Sequence, residues 1–515
     1  MKHKKLLVVG GGLSGLTVAR IAMAHQLKTV IIEKSSRLGG ALFHNSPYEK
    51  ELHESIQIIM SSGTTVHMES RPLHVRGCYP EFNVEYEQNG KSCSDVFSDI
   101  VFAAGVDLTV PDWLNSMGRM KNAFMIFEPN LPVKLIQSVP AGSRLCFVTG
   151  YSHNSSPFAF RLAMEMACEL AENKCRIFMI QNTIRFSDPL VTELYRRCRE
   201  SGIVFIKSDL PPDINFSNDE MLFRVADRSL GSAGSEAKLQ STIHGLVFEP
   251  GYIPRIFPEL FWSPHRLRHG AGDFPGFANN RFLPMFSNRK GIYFAGSITG
   301  IRDPMTYPDE AMMILDAVLT DETVKNVPVV DEDKCAVCLT CARVCPHGAV
   351  TIDTVSNINK EACDGCGICI AECPASAIQW KSEENDFRQE VRNKMKVYCC
   401  EGSTRLLVDR FIADAKTPEL PFDLQVLPCS GNIQIVELLT DVNKGYKRIL
   451  VCTCHDENCL HLMGNQHAGK RVRYVNQMIS SLGITDVSIQ VKPFAAHMLH
   501  AFKQYLRENQ IPDDE

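Results

Sequence analysis

No apolar run in this 515-residue sequence approaches the roughly 20 residues that a membrane-spanning helix needs. The basic N-terminus runs directly into Gly10-Gly11-Gly12, without an apolar signal segment or a cleavage site. The sequence therefore predicts a cytoplasmic protein that reaches a membrane only through a partner. A formal net charge of only −5 gives no electrostatic basis for nucleic-acid binding.

Cysteine, by contrast, is abundant and unevenly placed. Of the 20 cysteines, 14 fall between Cys335 and Cys459, and the other six are scattered before that stretch. A secreted disulfide scaffold would be short and would spread its cysteines through the fold. Clustering in a long chain instead indicates metal ligands. With 44% hydrophobic and 22% charged residues the chain can bury several cores, and its length suggests roughly three to four domains.

Eight of these cysteines form two copies of the pattern Cys-x2-Cys-x2-Cys-x3-Cys-Pro. In such a run three thiolates bind one 4Fe-4S cluster, and the distant fourth binds the other cluster. One predicted cluster therefore takes Cys335, Cys338, Cys341 and Cys373, and the second takes Cys363, Cys366, Cys369 and Cys345. Zinc also binds Cys-x2-Cys pairs, but the two Cys-Pro endings favour iron and sulfide. The module resembles bacterial-type two-cluster ferredoxins.

A glycine-rich turn follows the first apolar strand and opens an apolar helix. Gly10 permits a tight turn, Gly12 lets a pyrophosphate approach the backbone, and Gly15 allows close helix–strand packing. Glu33 closes the second strand, where it is placed to accept a hydrogen bond from a ribose hydroxyl. The pattern predicts a Rossmann-like dinucleotide site with the candidate contacts Gly10, Gly12, Leu13, Ser14, Gly15, Glu33 and Lys34.

Further segments favour FAD as the dinucleotide. Arg37-Leu-Gly39-Gly40 resembles the extended fingerprint of two-dinucleotide-binding flavoproteins, and Ala103-Ala104-Gly105 resembles their Ala-Thr-Gly strand end. Gly291-Ile-Tyr-Phe-Ala-Gly296 resembles the late strand that meets the flavin ribityl chain, although Ser297 stands where those proteins carry Asp. An NAD(P)H site needs a second glycine fingerprint, and the stretch beginning at Gly150 lacks one. The sequence thus predicts FAD without a nicotinamide site.

The order of these modules resembles the A-type flavoprotein of heterodisulfide reductase and the flavoprotein subunits of the quinone-interacting membrane-bound oxidoreductase complex. Residues 176–180 and 193–206 are similar to that family's nested domain, and Gly296-Ser-Ile-Thr-Gly300-Ile-Arg302-Asp303 is similar to its flavin-contacting turn. The resemblance implies that Arg302, the candidate catalytic residue, lies near the reactive edge of the flavin, where a cation stabilises the anionic reduced form. A solvent-facing arginine is the alternative.

The sequence departs from the heterodisulfide reductase pattern at one place. The A-type flavoprotein usually carries clustered cysteines after the strand Arg144–Thr149, where they bind an additional cluster, and here Cys168 is the only cysteine nearby. The departure favours the quinone-interacting branch, or another derived complex, and argues against flavin-based electron bifurcation.

Six further cysteines lie at or just past predicted strand ends, which converge at one edge of an open α/β sheet. Residues 427–431 and 454–465 resemble the delta subunit of methyl-viologen-reducing hydrogenase, a family that binds a 2Fe-2S cluster, over about residues 396–510. The predicted ligands are Cys400, Cys429, Cys454 and Cys459, with Cys399 as the alternative to Cys400. Buried free cysteines or zinc are the other interpretation. Lys470-Arg471-Val-Arg473 is interpreted as a solvated helix face, with docking of a partner as the alternative. His455 and His461 are interpreted as surface or cap histidines, with Rieske-type ligation as the alternative.

The predicted fold class is α/β: a Rossmann-like FAD-binding domain with a nested second α/β domain, a two-cluster ferredoxin module and a C-terminal α/β iron–sulfur domain. The FAD-binding domain occupies 1–140 and 209–330, the latter including a loop-rich section to about 290, and the nested domain occupies 141–208. The ferredoxin module follows at 331–380, a charged linker at 381–395 and the hydrogenase delta subunit-like domain at 396–515. Strands are expected at Lys5–Val9, Lys28–Glu33, Asp99–Ala103, Arg144–Thr149, Arg176–Ile180, Gly291–Ala295, Lys396–Cys400, Leu424–Leu427, Arg448–Cys452 and Val487–Val491.

These features predict an oxidoreductase subunit that relays electrons between FAD, two 4Fe-4S clusters, a 2Fe-2S cluster and partner redox subunits. The partners would be heterodisulfide reductase-like, hydrogenase-like or quinone-interacting membrane subunits. The alternative is a self-contained NAD(P)H-dependent flavin oxidoreductase resembling the small subunit of glutamate synthase. The sequence names neither the terminal donor nor the acceptor.

Overall fold

The structure is a computed structural model that describes residues 4–40, 48–115, 122–128, 130–140, 142–152, 155–183, 189–217, 220–228, 237–255, 265–276, 285–320, 326–381, 395–414 and 420–509. The chain forms two compact units. The first comprises Met1–Val75, Tyr79–Phe261 and Leu267–Glu322, and the second comprises Arg76–Cys78, Trp262–Arg266 and Thr323–Glu515. Among the described residues, no helix is long and apolar enough to cross a membrane.

The strands up to residue 322 are β1 Lys5–Val9, β2 Lys28–Ile32, β3 Thr65–His67, β4 Ser70–Cys78, β5 Glu81–Gln88, β6 Lys91–Phe97, β7 Asp99–Phe102, β8 Val106–Thr109, β9 Ala123–Met125, β10 Arg144–Thr149, β11 Arg176–Gln181, β12 Val204–Lys207, β13 Asp213–Ser217, β14 Glu220–Asp227, β15 Ala237–Ile243, β16 Gly245–Phe248, β17 Gly251–Pro254 and β18 Ile292–Phe294. The helices are α1 Leu13–Ala24, α2 Glu49–Ser61, α3 Asp112–Asn115, α4 Leu131–Ser138, α5 Pro157–Glu172, α6 Pro189–Glu200 and α7 Tyr307–Thr320. Short 3-10 helices lie at Ala271–Asp273, Gly296–Thr299 and Pro304–Thr306.

The first sheet of the first unit has the order β18-β7-β1-β2-β3, and its strands run parallel. Both faces are covered, so its strands are nearly continuous apolar runs, as parallel sheets require. Leu6, Val8 and Ile31 are fully buried in one core with residues of α1 and α7. Parallel pairing places the carboxyl ends of β1, β7 and β18 at one edge, where an open α/β sheet binds its ligand.

The second sheet has the order β12-β11-β10-β16-β9 and is also parallel. It therefore takes strands from outside the predicted range 141–208. The section 209–290, expected to be rich in loops, carries β13 to β17, and β13, β14 and β15 form an antiparallel sheet. Phe223 and Val225 pack there against Cys146 and Val148 of β10. The section was misjudged because its prolines and glycines indicate loops, whereas its strands alternate apolar and polar residues, as strands with one buried face do.

Two smaller sheets contain the remaining strands described up to residue 322. Strands β4, β5 and β6 form one sheet in that order, with β5 and β6 antiparallel, and β8 pairs antiparallel with β17.

From residue 323 onward the strands are β19 Val329–Val330, β20 Val350–Ile352, β21 Ser356–Ile358, β22 Ile378–Gln379, β23 Met395–Cys400, β24 Asp423–Leu427, β25 Arg448–Thr453 and β26 Ser488–Pro493. The helices are α8 Thr340–Val344, α9 Ile368–Ala371, α10 Thr404–Asp414, α11 Ile435–Lys444, α12 Gly464–Ser481 and α13 Leu499–Glu508, with 3-10 turns at Glu332–Lys334 and Ser430–Asn432. All ten strands expected from the sequence are present, with bounds within two residues of the expectation.

The second unit joins the cysteine module to a parallel α/β sheet. In the module β19 pairs with β22 and β20 with β21, each antiparallel, so the two cysteine runs are enclosed by short ribbons. The later sheet has the order β24-β23-β25-β26. The sequence predicts separate domains joined by a linker at 381–395, but both parts belong to one compact unit. Residues 382–394 of that linker lie outside the described residues.

Candidate functional site

The turn between β1 and α1 has room for glycine alone at two positions. Gly10 has a φ of 113°, and a Cβ there would overlap the Ala103 carbonyl at the end of β7. A Cβ on Gly15 would overlap the Gly10 carbonyl oxygen, so the helix can approach the strand only without one. Gly12 is the residue before α1, in an extended conformation, and Leu13 and Ser14 begin the helix buried. A tight strand-to-helix turn of this kind is the backbone arrangement that pyrophosphate-binding sites use.

Glu33 is buried beside this turn and organises it. Its Oε2 accepts a hydrogen bond from the Gly11 N–H (N···O 2.6 Å), and its Oε1 accepts one from the Ser35 N–H (2.8 Å). Each carboxylate oxygen keeps a second lone pair for a ribose hydroxyl, the role expected from the sequence. Gly39, with a φ of 126°, forms a backbone bridge to Gly12. Of the other predicted contacts, Gly40 lies against the Gly12 backbone, whereas Lys34 is exposed.

The late strand β18 brings its own turn to the same edge. Gly296 has a φ of 66°, and a Cβ there would overlap the Ser14 side chain. Ser297 is buried, and its hydroxyl lies 3.2 Å from the Tyr307 hydroxyl. Ala104 and Gly105 follow β7 at this edge and are half-buried. The structure therefore gathers three stretches that are far apart in sequence around the glycine turn.

Arg302 is neither a free solvent arginine nor an unpaired cation at this edge. Its Nη1 donates to the buried Glu310 carboxylate (N···O 3.1 Å) on α7, and its side chain is 26% exposed. The neighbouring Asp303 accepts hydrogen bonds from the Tyr48 hydroxyl (2.8 Å) and from Arg161 (2.5 Å). Burial and the contact with Asp303 raise the pKa of Tyr48 to about 12, so this phenol stays a donor. These pairs fix the turn that carries Arg302.

The β10–α5 turn of the second sheet, where a nicotinamide dinucleotide would bind, holds one of the protein's own carboxylates. Glu249 is 2% exposed and accepts hydrogen bonds from the Gly150 N–H (2.8 Å), the Ser156 N–H (2.8 Å) and the Ser155 hydroxyl (2.6 Å). The Phe158 N–H donates to the Ser156 hydroxyl. In the described part of this turn, the Gly150 and Ser156 N–H groups, which could otherwise face a phosphate, thus already donate to Glu249.

Within the cysteine module, the crossed assignment of the fourth ligand matches the geometry of the second site. One small cavity is lined by four thiols from both runs, Cys345, Cys363, Cys366 and Cys369. Burial raises the pKa of the Cys366 thiol to about 12. The protein therefore supplies four sulfur donors to an enclosed apolar space, the donor set that a 4Fe-4S cluster uses.

The first site of the module is more open. Cys335 and Cys341 both lie near the Ser356 hydroxyl, at 3.6 and 3.2 Å, while Cys338 is exposed. A hydrogen bond from Thr340 lowers the pKa of the Cys338 thiol, which favours the thiolate that binds metal. The repeat also extends to the backbone, because N–H groups four residues after the last cysteine of each run donate to its sulfur, Ala349 to Cys345 and Ala377 to Cys373 (both 3.3 Å).

The later sheet brings together the four cysteines predicted to hold a third cluster. Cys400, Cys454 and Cys459 form one buried set, with the sulfurs of Cys400 and Cys454 3.7 Å apart. Cys459 also contacts Cys429, and these thiol contacts lower the pKa of Cys459. A Cβ on Gly464 would overlap the Cys429 sulfur, so the start of α12 closes the site.

Cys399 points away from this set. It is fully buried in the core on the other face of the sheet, with Val397 and Cys452, because successive side chains of a strand alternate between faces. We therefore expect Cys400→Ser to abolish the absorbance and EPR signal of a 2Fe-2S centre, and Cys399→Ser to leave both in place. Iron content and EPR spectroscopy of the two purified variants measure this, and loss of the signal in Cys399→Ser alone would reverse the assignment.

The cysteine module and the later sheet are joined by buried polar contacts that the sequence analysis missed. Arg471 on α12 is 5% exposed, not a solvated residue as predicted. Its Nη1 donates to the carbonyls of Gly431 (2.7 Å) and Ile433 (3.0 Å), and its Nη2 donates to Glu372 (2.6 Å). Glu372 directly precedes Cys373 and also contacts His467 (2.8 Å).

A second contact joins the same two parts. His461, expected at the surface, is 6% exposed, and its Nδ1 lies 3.0 Å from the His347 Nε2 and 3.3 Å from the Asp364 carboxylate. The burial of Arg471 could have been predicted from the helical periodicity of the sequence. Ala468, Val472 and Val475 define the buried face of α12, and Arg471 lies on the same face.

Three parts of the chain match known protein families. Residues 8–67 match the NAD(P)-binding Rossmann-like domain, residues 327–374 match the 4Fe-4S dicluster domain, and residues 396–510 match the methyl-viologen-reducing hydrogenase, delta subunit. A thioredoxin reductase of Lactococcus lactis overlays with a TM-score of 0.41 and 13% identity, over 61% of this chain and 99% of its own.

Two curated relatives carry longer matches, and both are A-type subunits of a heterodisulfide reductase. That of the ferredoxin:CoB-CoM heterodisulfide reductase of Methanosarcina mazei is 26% identical over 58% of this chain and 40% of its own length. That of the ferredoxin/F(420)H(2)-dependent CoB-CoM heterodisulfide reductase of Methanosarcina acetivorans is 24% identical over 80% of this chain and 57% of its own. The chain thus spans about half the length of these relatives. As the sequence predicts, the chain is similar to the A-type flavoprotein of heterodisulfide reductase and carries a hydrogenase delta subunit-like domain over residues 396–510.

Proposed function

We propose that this protein is an electron-transfer subunit that carries FAD, two 4Fe-4S clusters and one 2Fe-2S cluster and serves a larger redox complex. The observation that carries the proposal is the contact between two cysteine sites in the second unit. Cys366 of the module packs with Ile368 and against Cys429 of the later sheet in one buried cluster. Adjacent sulfur sites within one unit suit a relay better than two structural metals would.

FAD is proposed for the first sheet because Gly10, Gly15 and Gly296 let the β1–α1 turn, the end of β7 and the turn after β18 approach so closely that a Cβ at any of the three would overlap protein atoms. Gly10, Gly12, Leu13, Ser14 and Gly15 would hold its pyrophosphate, Glu33 its ribose, and Ser297 and Arg302 would lie toward the flavin. FAD when bound exchanges electrons in pairs, and iron–sulfur clusters exchange them singly. The Arg302–Glu310 pair would hold a positive group in a fixed orientation at this edge.

The proposed partners are redox subunits of heterodisulfide reductase-like, hydrogenase-like or quinone-interacting type. Two observations support them: the two heterodisulfide reductase subunits found as relatives and the hydrogenase delta subunit match. The sequence lacks the additional cysteines after β10, which favours the quinone-interacting branch. We place the protein in the cytoplasm, with any contact to a membrane made through a partner.

The second candidate, a self-contained NAD(P)H oxidoreductase, has less support. It requires a phosphate site at the β10–α5 turn, where Glu249 already accepts from the Gly150 and Ser156 N–H groups. Phosphate would have to displace a buried carboxylate from these donors, which costs the binding free energy that the site would need.

Anaerobic cofactor analysis tests the proposal. We expect one non-covalent FAD and about ten irons per chain. About eight irons would remove the 2Fe-2S site, and about four would contradict the ferredoxin assignment. NADH and NADPH should be oxidised by the isolated chain far more slowly than about 10 s⁻¹, an ordinary enzyme rate. Turnover near that rate would instead support the second candidate.

A further inference from the structure

The two cysteine runs of the module place different residues in the same unusual backbone conformation. The second cysteine of the later run, Cys366, lies between Gly365 and Gly367, which have φ values of 66° and 72°. The equivalent positions around Cys338 are Val337 and Leu339, with φ values of 50° and 65°. Glycine adopts positive φ freely, whereas a β-branched residue there is an outlier. The first run therefore has strained apolar residues, Val337 and Leu339, at the two positions where the second run has glycine.

The protein surfaces around Cys366 and around Cys338 also differ in how far other residues cover them. Around Cys366 the surface is closed: Ile368 is fully buried, and a Cβ on Gly367 would overlap the Asn432 side chain of the later sheet. Around Cys338 the described residues leave the surface open, with Val337 and Leu339 each 39% exposed and Cys338 exposed between them.

Val337 and Leu339 each keep 39% of their surface exposed, and their positive φ values cost backbone free energy that glycine would not. Strained and exposed residues beside a functional cysteine are typical of a recognition surface. We propose that Val337, Cys338 and Leu339 form the docking surface for a separate protein that carries an iron–sulfur cluster near its own surface.

The internal repeat identifies the kind of partner. The equivalent surface of the second run is covered by the loop that follows Cys429, so an iron–sulfur domain already occupies one of the two related faces. The first face offers the same sulfur site to a partner from outside the chain. This inference rests on the proposed function, because electron exchange is the reason to bring two clusters together. Each transfer oxidises the partner's cluster by one electron and reduces one cluster of this chain, without any bond being made or broken.

The test uses the full cofactor-loaded chain under argon and a bacterial-type two-cluster ferredoxin as the probe. In the variant Val337→Gly/Leu339→Gly both positions take the residue used by the other run, so both clusters should be retained in iron analysis and EPR. We expect the dissociation constant for the ferredoxin to rise about tenfold. The rate of cluster reduction by reduced ferredoxin should fall by a similar factor, with no change for reduction by methyl viologen radical.

Leu462→Gly is the matched control, because Leu462 is also exposed at a positive φ of 59° but lies beside the C-terminal cysteines. Leu339→Lys, which keeps a long side chain, is a second variant should the glycine pair reduce cluster content. Unchanged affinity in both variants, equal slowing with both reductants, or loss of binding in Leu462→Gly instead would overturn the proposal. Failure of methyl viologen radical to reduce the wild-type clusters would count against the proposed function, while the affinity measurement still decides the docking surface.

Discussion

Replacing Arg471 with methionine should destabilise the region around α12 by about 3 kcal/mol, because it leaves the Glu372 carboxylate and two buried carbonyl groups without their shared donor. Methionine fills a similar volume, so the effect reports the lost charge and hydrogen bonds, not a cavity. Hydrogen–deuterium exchange under anaerobic conditions measures the change as faster exchange in α12 and in the loop after Cys429.

Arg473→Met is the matched control for this change. Arg473 lies on the same helix but is exposed, so the same substitution should alter exchange by much less than about 1 kcal/mol. Equal protection in wild type and Arg471→Met would show that the Arg471–Glu372 contact does not stabilise the join between the cysteine module and the later sheet.

The second large effect is expected for Gly15→Ala. The added methyl group would overlap the Gly10 carbonyl oxygen, so α1 must move away from β1 or the turn must change shape. Overpacking of this kind costs about 3 kcal/mol and distorts the cradle proposed for the pyrophosphate. We expect the purified variant to retain less than about one tenth of the wild-type flavin, because loss of even about 1.4 kcal/mol of binding free energy weakens flavin binding tenfold.

Gly469→Ala is the control for this prediction. Gly469 lies within α12 with open space around its Cα, so alanine there should be neutral or slightly stabilising. Flavin content, read from absorbance after heat release, and thermal unfolding compare the two variants. Full flavin occupancy in Gly15→Ala would exclude the proposed cradle, whereas flavin loss in both variants would point to a general folding defect.

The ten strands expected from the sequence were predictable because their signal is local, whereas β3, β9, β12 and β16 of the two parallel sheets were not predicted. Runs such as Leu6–Val9 and Arg144–Thr149 are apolar, β-branched and bounded by glycine, whatever they pair with. The strands at 213–254 were missed for the opposite reason. They lie in a section with several prolines and glycines, and β13 to β16 are stabilised by packing against β10, which the sequence of the section does not reveal.

Side-chain partners show the same division. The sequence predicts that Glu33 ends a strand and that Arg302 lies in a turn. Only the fold shows that Glu33 accepts a hydrogen bond from the Gly11 N–H and that Arg302 donates one to the Glu310 carboxylate. Likewise, Glu249 lies almost 100 residues from Gly150 and reaches it only because β16 pairs with β10.

The sequence by itself determined the donor chemistry of this protein: thiol spacing fixes which cysteines can share a cluster, and glycine spacing fixes where the backbone can approach a phosphate. Both depend on distances of a few residues along one segment. The tertiary structure alone decided that Cys400 and not Cys399 faces the other thiols, that Arg471 is buried, and that, within the described residues, the later sheet covers the second run of the module while Cys338 of the first run stays exposed. Those outcomes depend on which faces of distant segments pack together, and that is set by burial over the whole unit, not by any local pattern.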